Sequence, residues 1–428
     1  MLVQDRLADL RRRFHRYPEP AWREFTTTAL LVEELRQLDL DDLAIGPDAY
    51  DPADRMAVPT EDELAPWRER ARENGVDADL LDEMAGGNTG CVAVVDRGGE
   101  PSIGVRVDID GLFVEEATGD DHQPAREGFR SEHPGTMHAC GHDAHMTLGL
   151  ALLDSVIESD FPGRLVVFFQ PAEEEAGGGK PMAESHYADD LDYLLAVHVG
   201  LGHPTGEFVG GIQAPLAMSH LTIDVHGESA HAGKAPNEGA NAIQAAATGV
   251  EAIYGIPRHS DGMTRVNVGR IEGGTTSNVI ADHVTMRGEV RGETTPLRDY
   301  AKAEFDRRFE HAAEIHGCTA DVSVTAESPR ADSDPDLAEF VYDVARQHAD
   351  VDSPLVHADF GASEDATFLM QHVQDQGGLA TYLIVGTDHP TAHHTSTFDV
   401  DERSLTIGAD VLTDTVLDLA TVDQDCTR

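Results

Sequence analysis

Lysine is nearly absent from this sequence: among 428 residues it occurs only at Lys180, Lys234 and Lys302, and arginine supplies the rest of the 31 basic residues. The acidic residues number 79, so the formal net charge is -48 at pH 7. An electrostatic field of this sign repels phosphate backbones, and a nucleic-acid-binding function is therefore excluded.

Such acidity fits either a disordered chain or a folded protein adapted to salt. Disorder requires too few apolar residues to form a core, whereas 40% of this chain is apolar and apolar segments recur from end to end. The acidic residues are also spread along the chain and are not gathered in one tail. We therefore expect a salt-adapted protein from a halophilic, archaeon-like source.

Long apolar runs and paired cysteines are missing as well. No uninterrupted apolar run approaches the roughly 18 residues that a membrane-spanning helix requires. The cysteines, Cys91, Cys140, Cys318 and Cys426, show no CxxC spacing, and the opening MLVQDRLADLRRRFHRYP contains no apolar segment followed by a cleavage site. The sequence predicts neither a disulfide framework nor an export signal, and we expect a cytoplasmic protein without a membrane partner.

Short runs rich in β-branched residues alternate with helical segments in the first half of the chain. The runs CVAVVD, SIGVRVDID, RLVVFFQ and DYLLAVHV begin at Cys91, Ser102, Arg164 and Asp192. Strands that are so continuously apolar are buried on both faces. The pattern predicts an α/β fold, with a phosphorylase/hydrolase-like mixed sheet covered by helices on both faces.

After Pro215 the predicted elements change to strand, helix, two strands, helix and strand, which is the split βαββαβ order of ferredoxin-like domains. The α/β pattern resumes with a helix from Asp334. The simplest organisation is a catalytic domain formed by residues 1–215 and 329–428, with an inserted α+β lid or dimerisation domain at residues 216–328. The acidic stretch 45–90 shows no strand pattern and is interpreted as an insertion or surface cover.

The segment HACGHDAH, from His138 to His145, concentrates metal-ligating residue types. It contains three histidines, one cysteine and one aspartate, and thiolate, imidazole and carboxylate groups all bind first-row metal ions. A polar turn in which Asp143 caps the following helix would explain the same residues without a metal. Both interpretations are open for this segment alone.

Other potential ligands follow two predicted strands and precede the last helix. Glutamates 173–175 come directly after LVVFF, at the carboxyl end of a strand, where α/β sheets place their sites. His198 ends the strand LLAV, and His393 and His394 precede FDVDE. A solvated acidic helix start and a core histidine are the ordinary interpretations of such features taken singly. Together the set has more ligands than one four-coordinate ion needs, which favours two metal ions.

Several segments fall in the order found in one enzyme family. They are FHRYPEPAWREFTT, VRVDIDGL, MHACGHDAHMTLG, FFQPAEEE, AVHVG, SAHAGKAPNEGANAI, GGTTSNVIAD, ASEDATFLM and HHTSTFDVDE. With these motifs the sequence resembles, nearly end to end, the dinuclear metal-dependent amidohydrolases of the aminoacylase and indole-acetyl-amino-acid hydrolase family. The segments DRMAVPTEDEL, AHAGKAPNEGANA, RVNVG and SEDAT are typical of the branch that acts on p-aminobenzoyl-glutamate.

The resemblance implies roles for individual residues. It implies metal ligands at Cys140, His142, Glu174, His198 and His394. It implies that Glu173 is the general base and that Asp110 orients a ligand. It also implies that His231 steadies the reacting carbonyl oxygen, commonly across a dimer interface, and that Asn278 and Arg291 contact the substrate carboxylate.

The implied activity is hydrolysis of the amide bond of an N-acyl or N-aroyl amino acid, with p-aminobenzoyl-glutamate, cleaved to p-aminobenzoate and glutamate, as the first expectation. N-acyl amino acids, indole-acetyl conjugates and dipeptides are the alternative substrates. The implied cofactors are two divalent metal ions per subunit, manganese or zinc. The expected assembly is a homodimer, or a heterodimer with a related subunit, formed through the inserted domain. A noncatalytic subunit is the competing hypothesis, and the intact Glu173 and ligand set argue against it.

Overall fold

A computed structural model of the chain describes residues 4–421. Its α-helices are α1 (Gln4–His15), α2 (Phe25–Leu35), α3 (Glu61–Glu73), α4 (Ala78–Glu83), α5 (Gln123–Glu127), α6 (His142–Ile157), α7 (Gly179–Ala183), α8 (Ala242–Ile253), α9 (Thr295–Ile315), α10 (Pro335–Ala345), α11 (Thr367–Asp375) and α12 (Arg403–Leu419). Its β-strands are β1 (Asp42–Ile45), β2 (Cys91–Asp96), β3 (Ser102–Asp108), β4 (Arg164–Gln170), β5 (Tyr193–Val199), β6 (Glu207–Gln213), β7 (Ala217–His226), β8 (Thr264–Gly273), β9 (His283–Gly292), β10 (Thr319–Ser328), β11 (Ser353–Asp359) and β12 (Leu379–Val385).

The larger sheet is eight-stranded and mixed. Its strand order is β1-β2-β4-β3-β5-β12-β6-β11. Strand β3 runs parallel to both β4 and β5, whereas β2 pairs antiparallel with β4 and β12 antiparallel with β6. The mixed α/β architecture predicted from the sequence is therefore confirmed. The parallel trio β4-β3-β5 is the part that positions the site, because its three carboxyl ends lie along one edge of the sheet.

Helices cover this sheet on both faces because alternate side chains of each central strand point to opposite sides. On β4, Leu165, Val167 and Phe169 belong to one apolar core, and Val166 and Phe168 belong to the other. The first core also contains side chains of α1, α2, α6, α10 and α12, and the second contains side chains of α7 and α11. The continuous apolar run LVVFF is thus buried on both sides, as expected for a central strand.

Residues 214–330 together with 361–364 form a second compact unit, and the larger sheet belongs to the first. The second unit follows the order β7-α8-β8-β9-α9-β10, and its antiparallel sheet has the strand order β10-β7-β9-β8. Both helices share one apolar core with this sheet. The helices pack closely at Gly249, where an added Cβ would lie 2.4 Å from the ring of Phe309.

Three strands were not anticipated from the sequence, namely β1, β6 and β11. Strand β6 contains two glycines, which weaken strand propensity, yet the packing requires one of them. A Cβ at Gly210 would lie 2.2 Å from the carbonyl oxygen of Ala338 on α10. The stretch 45–90 carries the helices α3 and α4.

The described cysteines, Cys91, Cys140 and Cys318, are buried and are not joined to one another by a disulfide, and Cys426 lies outside the described residues. Within residues 4–421, no helix has both the length and the apolar character needed to cross a membrane.

Candidate metal centre

The predicted site residues of the first unit gather where the parallel trio of strands ends. Asp110 follows β3, Glu173 and Glu174 follow β4, and His198 is the penultimate residue of β5. The fourth contributing element is the N-terminus of α6, whose first residue is His142. The register of the parallel pairs brings these strand ends to the same edge of the sheet.

The ligand atoms lie within a few ångströms of one another. Sγ of Cys140 is 3.5 Å from Nε2 of His198, and Nε2 of His142 is 3.8 Å from Oε1 of Glu174. Nε2 of His394 is 3.4 Å from Oε2 of Glu174. Cys140, His142 and His198 form one group whose ligand atoms all lie within 4.8 Å of one another, and Cys140, Glu174 and His394 form a second. The two groups share the thiol of Cys140.

Two buried atoms of this cluster have no hydrogen-bond partner among residues 4–421: Nε2 of His142 and Oε1 of Glu174. A buried polar atom without a partner costs free energy, so each of these positions calls for a ligand. Thiolate, imidazole and carboxylate are the donors that divalent first-row metal ions prefer. The residues present therefore fit a divalent metal centre.

Backbone carbonyls set the tautomers of both buried imidazoles. Nδ1 of His142 lies 2.9 Å from the carbonyl oxygen of Asp110, and Nδ1 of His198 lies 2.7 Å from that of Val199. A carbonyl only accepts, so each Nδ1 carries the proton and donates it. Each Nε2 is then left as a lone-pair donor directed into the cluster.

The carboxylate of Asp110 holds the two adjacent glutamates in place. Its Oδ1 accepts from the backbone N–H of Glu173 at 3.2 Å, and its Oδ2 accepts from that of Glu174 at 3.1 Å. The preceding residue, Ala172, has φ +56°, and His394 has φ +63°. Residues other than glycine seldom adopt this left-handed conformation, and its concentration here is typical of functional sites.

The electrostatic field of the cluster favours a cation. Burial lowers the pKa of His142, but the carboxylates of Asp108 and Asp110 outweigh this effect, and with Glu174 they raise the pKa to about 10. The hydrogen bond to Glu174 likewise raises the pKa of His394. Both imidazoles thus attract positive charge, so a proton competes with a metal ion for the same lone pairs.

Of the neighbouring pair His393 and His394, the structure directs only His394 to Glu174. Nε2 of His393 instead lies 3.3 Å from the carbonyl oxygen of Val199. Glu173, the expected base, has its Oε2 3.9 Å from Nε2 of His142, and 13% of its side chain is exposed. Glu173 and Glu174 therefore lie at nearly equal distances from Nε2 of His142, and His142, Glu173 and Glu174 form a further group whose ligand atoms lie within 4.8 Å of one another.

The remaining predicted site residues belong to the second unit. There, the exposed His231 accepts the N–H of Gly233 at its Nδ1 at 3.1 Å, so its Nε2 carries the proton and can donate. Asn278 is its close neighbour, because the backbone N–H of Ala232 donates to the carbonyl oxygen of Asn278. The guanidinium of Arg291 pairs with Glu289 at 3.1 Å.

Three buried residues behind the centre were not selected from the sequence: Arg106, Asp108 and His145. NH1 of Arg106 lies 2.8 Å from Oδ2 of Asp108, and Oδ1 of Asp108 contacts Nδ1 of His145. For Arg106 and Asp108 the sequence did contain a signal of this arrangement. Both are charged residues inside the otherwise apolar strand segment GVRVD, and charged side chains are seldom buried unless they are paired.

Comparison with known proteins gives a consistent result. Residues 104–418 match the family model described as peptidase family M20/M25/M40. The chain is 36% identical over 416 residues to a subunit of the p-aminobenzoyl-glutamate hydrolase of Escherichia coli (strain K12), covering 96% of this chain and 95% of the relative. It is 37% identical over 412 residues to indole-3-acetyl-aspartic acid hydrolase of Enterobacter agglomerans, covering 95% and 94%. The crystal structure of an aminobenzoyl-glutamate utilization protein from Klebsiella pneumoniae superimposes with a TM-score of 0.83 at 30% identity, covering 97% of this chain and 95% of that one.

Proposed function

This chain belongs to peptidase family M20/M25/M40 and is a metal-dependent hydrolase, and we propose that it cleaves the amide bond of an N-aroyl or N-acyl amino acid, with p-aminobenzoyl-glutamate as the first substrate to test. The observation that carries the proposal is the pair of unpartnered buried atoms, Nε2 of His142 and Oε1 of Glu174, beside the second carboxylate of Glu173. The products would be p-aminobenzoate and glutamate.

The ligand set that we propose comprises Cys140, His142, Glu174, His198 and His394. When bound, two divalent ions would lower the pKa of a water molecule toward neutrality and polarise the substrate carbonyl. We propose manganese as the first ion to test and zinc as the second, because histidine, carboxylate and thiolate ligands suit both. Elemental analysis of protein purified without chelator distinguishes them.

Glu173 acts as the general base in this proposal. Its carboxylate takes a proton from the attacking water and then delivers it to the departing amine, so that no covalent enzyme intermediate is needed. Asp110 supports this role by accepting the N–H groups of Glu173 and Glu174, which fixes where both carboxylates point. The proposal keeps Glu173 out of the ligand set, so that its proton transfer is not blocked by a metal bond.

We assign the recognition of the substrate to the second unit. His231 would hold the reacting carbonyl oxygen, and its protonated Nε2 is suited to donate to that oxygen. Asn278 and Arg291 would bind a substrate carboxylate, with Arg291 exchanging its present partner Glu289 for the substrate. Replacing Arg291 by Gln should raise KM for an anionic substrate far more than it changes kcat.

Indole-acetyl amino acids are the second candidate substrates, since one relative of nearly equal identity is named for indole-3-acetyl-aspartic acid. A panel of p-aminobenzoyl-glutamate, indole-acetyl-aspartate, N-acetyl amino acids and dipeptides, assayed with manganese and with zinc, separates these classes. If the protein binds metal but hydrolyses none of them, a noncatalytic role becomes the better explanation.

We further propose that the second unit forms the contact between subunits. Strand β8 is an edge strand of its sheet, and Ile243 on α8, Tyr254 directly after α8 and Ile271 on β8 are all about half exposed. A groove of about 610 Å³ runs between these two elements. Antiparallel pairing of β8 with a second copy, in the register that sets Arg265 opposite Glu272, would join opposite charges across the strands.

Sedimentation velocity tests this contact. Ile271→Asp should convert a dimer to monomers, whereas Val324→Asp, at an exposed position on the opposite edge strand β10, should not. If the wild-type protein is a monomer, the homodimer is contradicted and a heterodimer with a related chain becomes the proposal to test. The Escherichia coli relative is itself named as one subunit of its enzyme.

A further inference from the structure

His145 lies buried between two of the proposed ligand imidazoles. Its ring is stacked on that of His142, with centroids 5.2 Å apart and an interplanar angle of 27°. The same ring meets His198 edge-on at 4.6 Å and 69°. His145 is fully buried, so its ring is a rigid spacer between the two ligands.

Both nitrogens of His145 are already engaged. Nδ1 bonds to Oδ1 of Asp108, and Nε2 accepts the backbone N–H of Val199 at 2.8 Å. A ring nitrogen that accepts an N–H carries no proton, so the ring is neutral and its proton sits on Nδ1. His145 therefore has no lone pair left for a metal ion, even though Asp108, His142 and His145 form a group whose ligand atoms lie within 4.8 Å.

The bond to Val199 acts directly on a proposed ligand. The N–H that His145 accepts belongs to the peptide group joining His198 to Val199, and the next carbonyl, that of Val199, accepts Nδ1–H of His198. Fixing this segment fixes the direction of the His198 ring. The stacking on His142 fixes the second ring relative to the first.

Asp108, the last residue of β3, anchors the arrangement. Its other oxygen pairs with NH1 of Arg106 at 2.8 Å, and NH2 of Arg106 pairs with Asp365 at 3.1 Å. All these side chains are buried, so the chain of contacts from Arg106 through Asp108 to His145 has little freedom to move.

We propose that His145 is a positioning residue and not a ligand: it sets the spacing and orientation of His142 and His198 and thereby tunes the affinity of the ion held by Cys140, His142 and His198. The inference rests on the proposed metal centre and adds a residue to which no role was assigned from the sequence. Outer residues that orient ligand histidines typically change metal affinity by roughly 10- to 100-fold when they are replaced.

The test compares His145→Phe and His145→Gln in the full-length protein loaded with manganese, zinc or cobalt(II). Phe keeps an aromatic ring without either hydrogen bond, and the amide oxygen of Gln can still accept the N–H of Val199. At saturating metal both variants should retain the wild-type number of bound ions, while affinity in a chelator competition falls by roughly 10- to 100-fold for Phe and by less for Gln. The absorption bands of bound cobalt(II) should shift.

His138→Gln is the matched control, because His138 is equally buried in the same segment and its ring nitrogens have no hydrogen-bond partner within the described residues. It should leave both affinity and cobalt(II) bands unchanged. Loss of one bound ion at saturation in the His145 variants would make His145 a ligand and overturn the inference. Unchanged affinity and bands in both variants would reduce its role to packing and would also overturn it. If the Phe variant fails to fold, the Gln variant decides between these outcomes.

These readouts need no substrate. A wild-type protein that binds metal but cleaves no amide would contradict the proposed substrate and leave this inference standing. A wild-type protein that binds no divalent ion would contradict the metal centre itself.

Discussion

Sγ of Cys140 and Nε2 of His198 lie 3.5 Å apart, across the gap between the start of α6 and the end of β5. Metal bonds of about 2.3 Å to sulfur and about 2.0 Å to nitrogen, at a tetrahedral angle, place the two ligand atoms about 3.5 Å apart. The structure thus holds this pair at the separation that a shared ion requires. The carbonyl of Val199 maintains it by accepting the hydrogen bond from Nδ1, which leaves Nε2 toward the thiol.

Glu173→Gln should remove most of the activity and leave the metal content unchanged. General base catalysis contributes roughly 10²- to 10⁴-fold, so kcat should fall by about that factor. The neighbouring Glu175 is exposed, and Glu175→Gln is therefore the matched control and should retain wild-type kcat. Metal analysis and steady-state kinetics on the same preparations provide the measurement. A Glu173 variant with substantial turnover would assign the base elsewhere.

Cys140→Ala should weaken metal binding before it affects the fold. Burial raises the pKa of both Cys91 and Cys318, so these two thiols should react slowly with an alkylating reagent whether or not metal is bound. Bound metal should, in contrast, protect Cys140 from alkylation, as read by mass spectrometry. Cys318→Ser, in the second unit, is the control. Full metal occupancy in the Cys140 variant at limiting metal would remove this residue from the ligand set.

His15→Gln should destabilise the protein most below neutral pH. Burial and the charge of Arg11 lower the pKa of His15, but bonds of 2.7 Å to Asp143 and 3.0 Å to Glu116 raise it to about 9. Because this pKa exceeds the usual value of 6.5, the stabilisation is fully present below pH 6.5 and is lost as the pH rises toward 9.

Urea unfolding of the wild type and the His15 variant across this pH range measures the effect. The difference in the free energy of unfolding should shrink between pH 6.5 and 9. A His311→Gln control, at an exposed position on α9, should show no such trend. A difference that does not vary with pH would show that His15 is not protonated in the folded protein.

Salt should increase both stability and activity. The net charge of -48 repels an anionic substrate and also opposes the compact state. Raising the salt from 0.1 M to 1 M shortens the screening length from about 10 Å to about 3 Å, which weakens the long-range repulsion and leaves close contacts intact. We expect kcat/KM for p-aminobenzoyl-glutamate to fall at low salt before circular dichroism reports unfolding. Full activity and an intact fold in dilute buffer would contradict the adaptation to salt.

The central strands were predictable because their signal is local. A run such as LVVFF is apolar at every position, which only burial on both faces accommodates, and the structure places it in the middle of the larger sheet. Strand β6 carried no such signal. Its glycines are explained by the close approach of α10, a contact between segments far apart in the sequence.

The residue types of the site were also readable from the sequence, because thiol, imidazole and paired carboxylates at strand and helix ends are unusual outside binding sites. Residue types and spacing alone could not show which histidine of HACGHDAH faces the cluster, although the family resemblance implied His142. In the structure, His142 faces it, His145 is tied to Asp108 and Val199, and His138 makes no hydrogen bond with its ring among the described residues.

From its sequence alone, this protein's α/β class, the order of most of its elements and the chemical nature of its proposed ligands were determined, since each depends on residue type and spacing along the chain. Only the tertiary structure decided which nitrogen of each imidazole carries a proton and where its lone pair points. The reason is physical: these choices depend on contacts that include groups far away in the sequence, such as the carbonyl of Asp110 for His142, which come close only when the chain has folded.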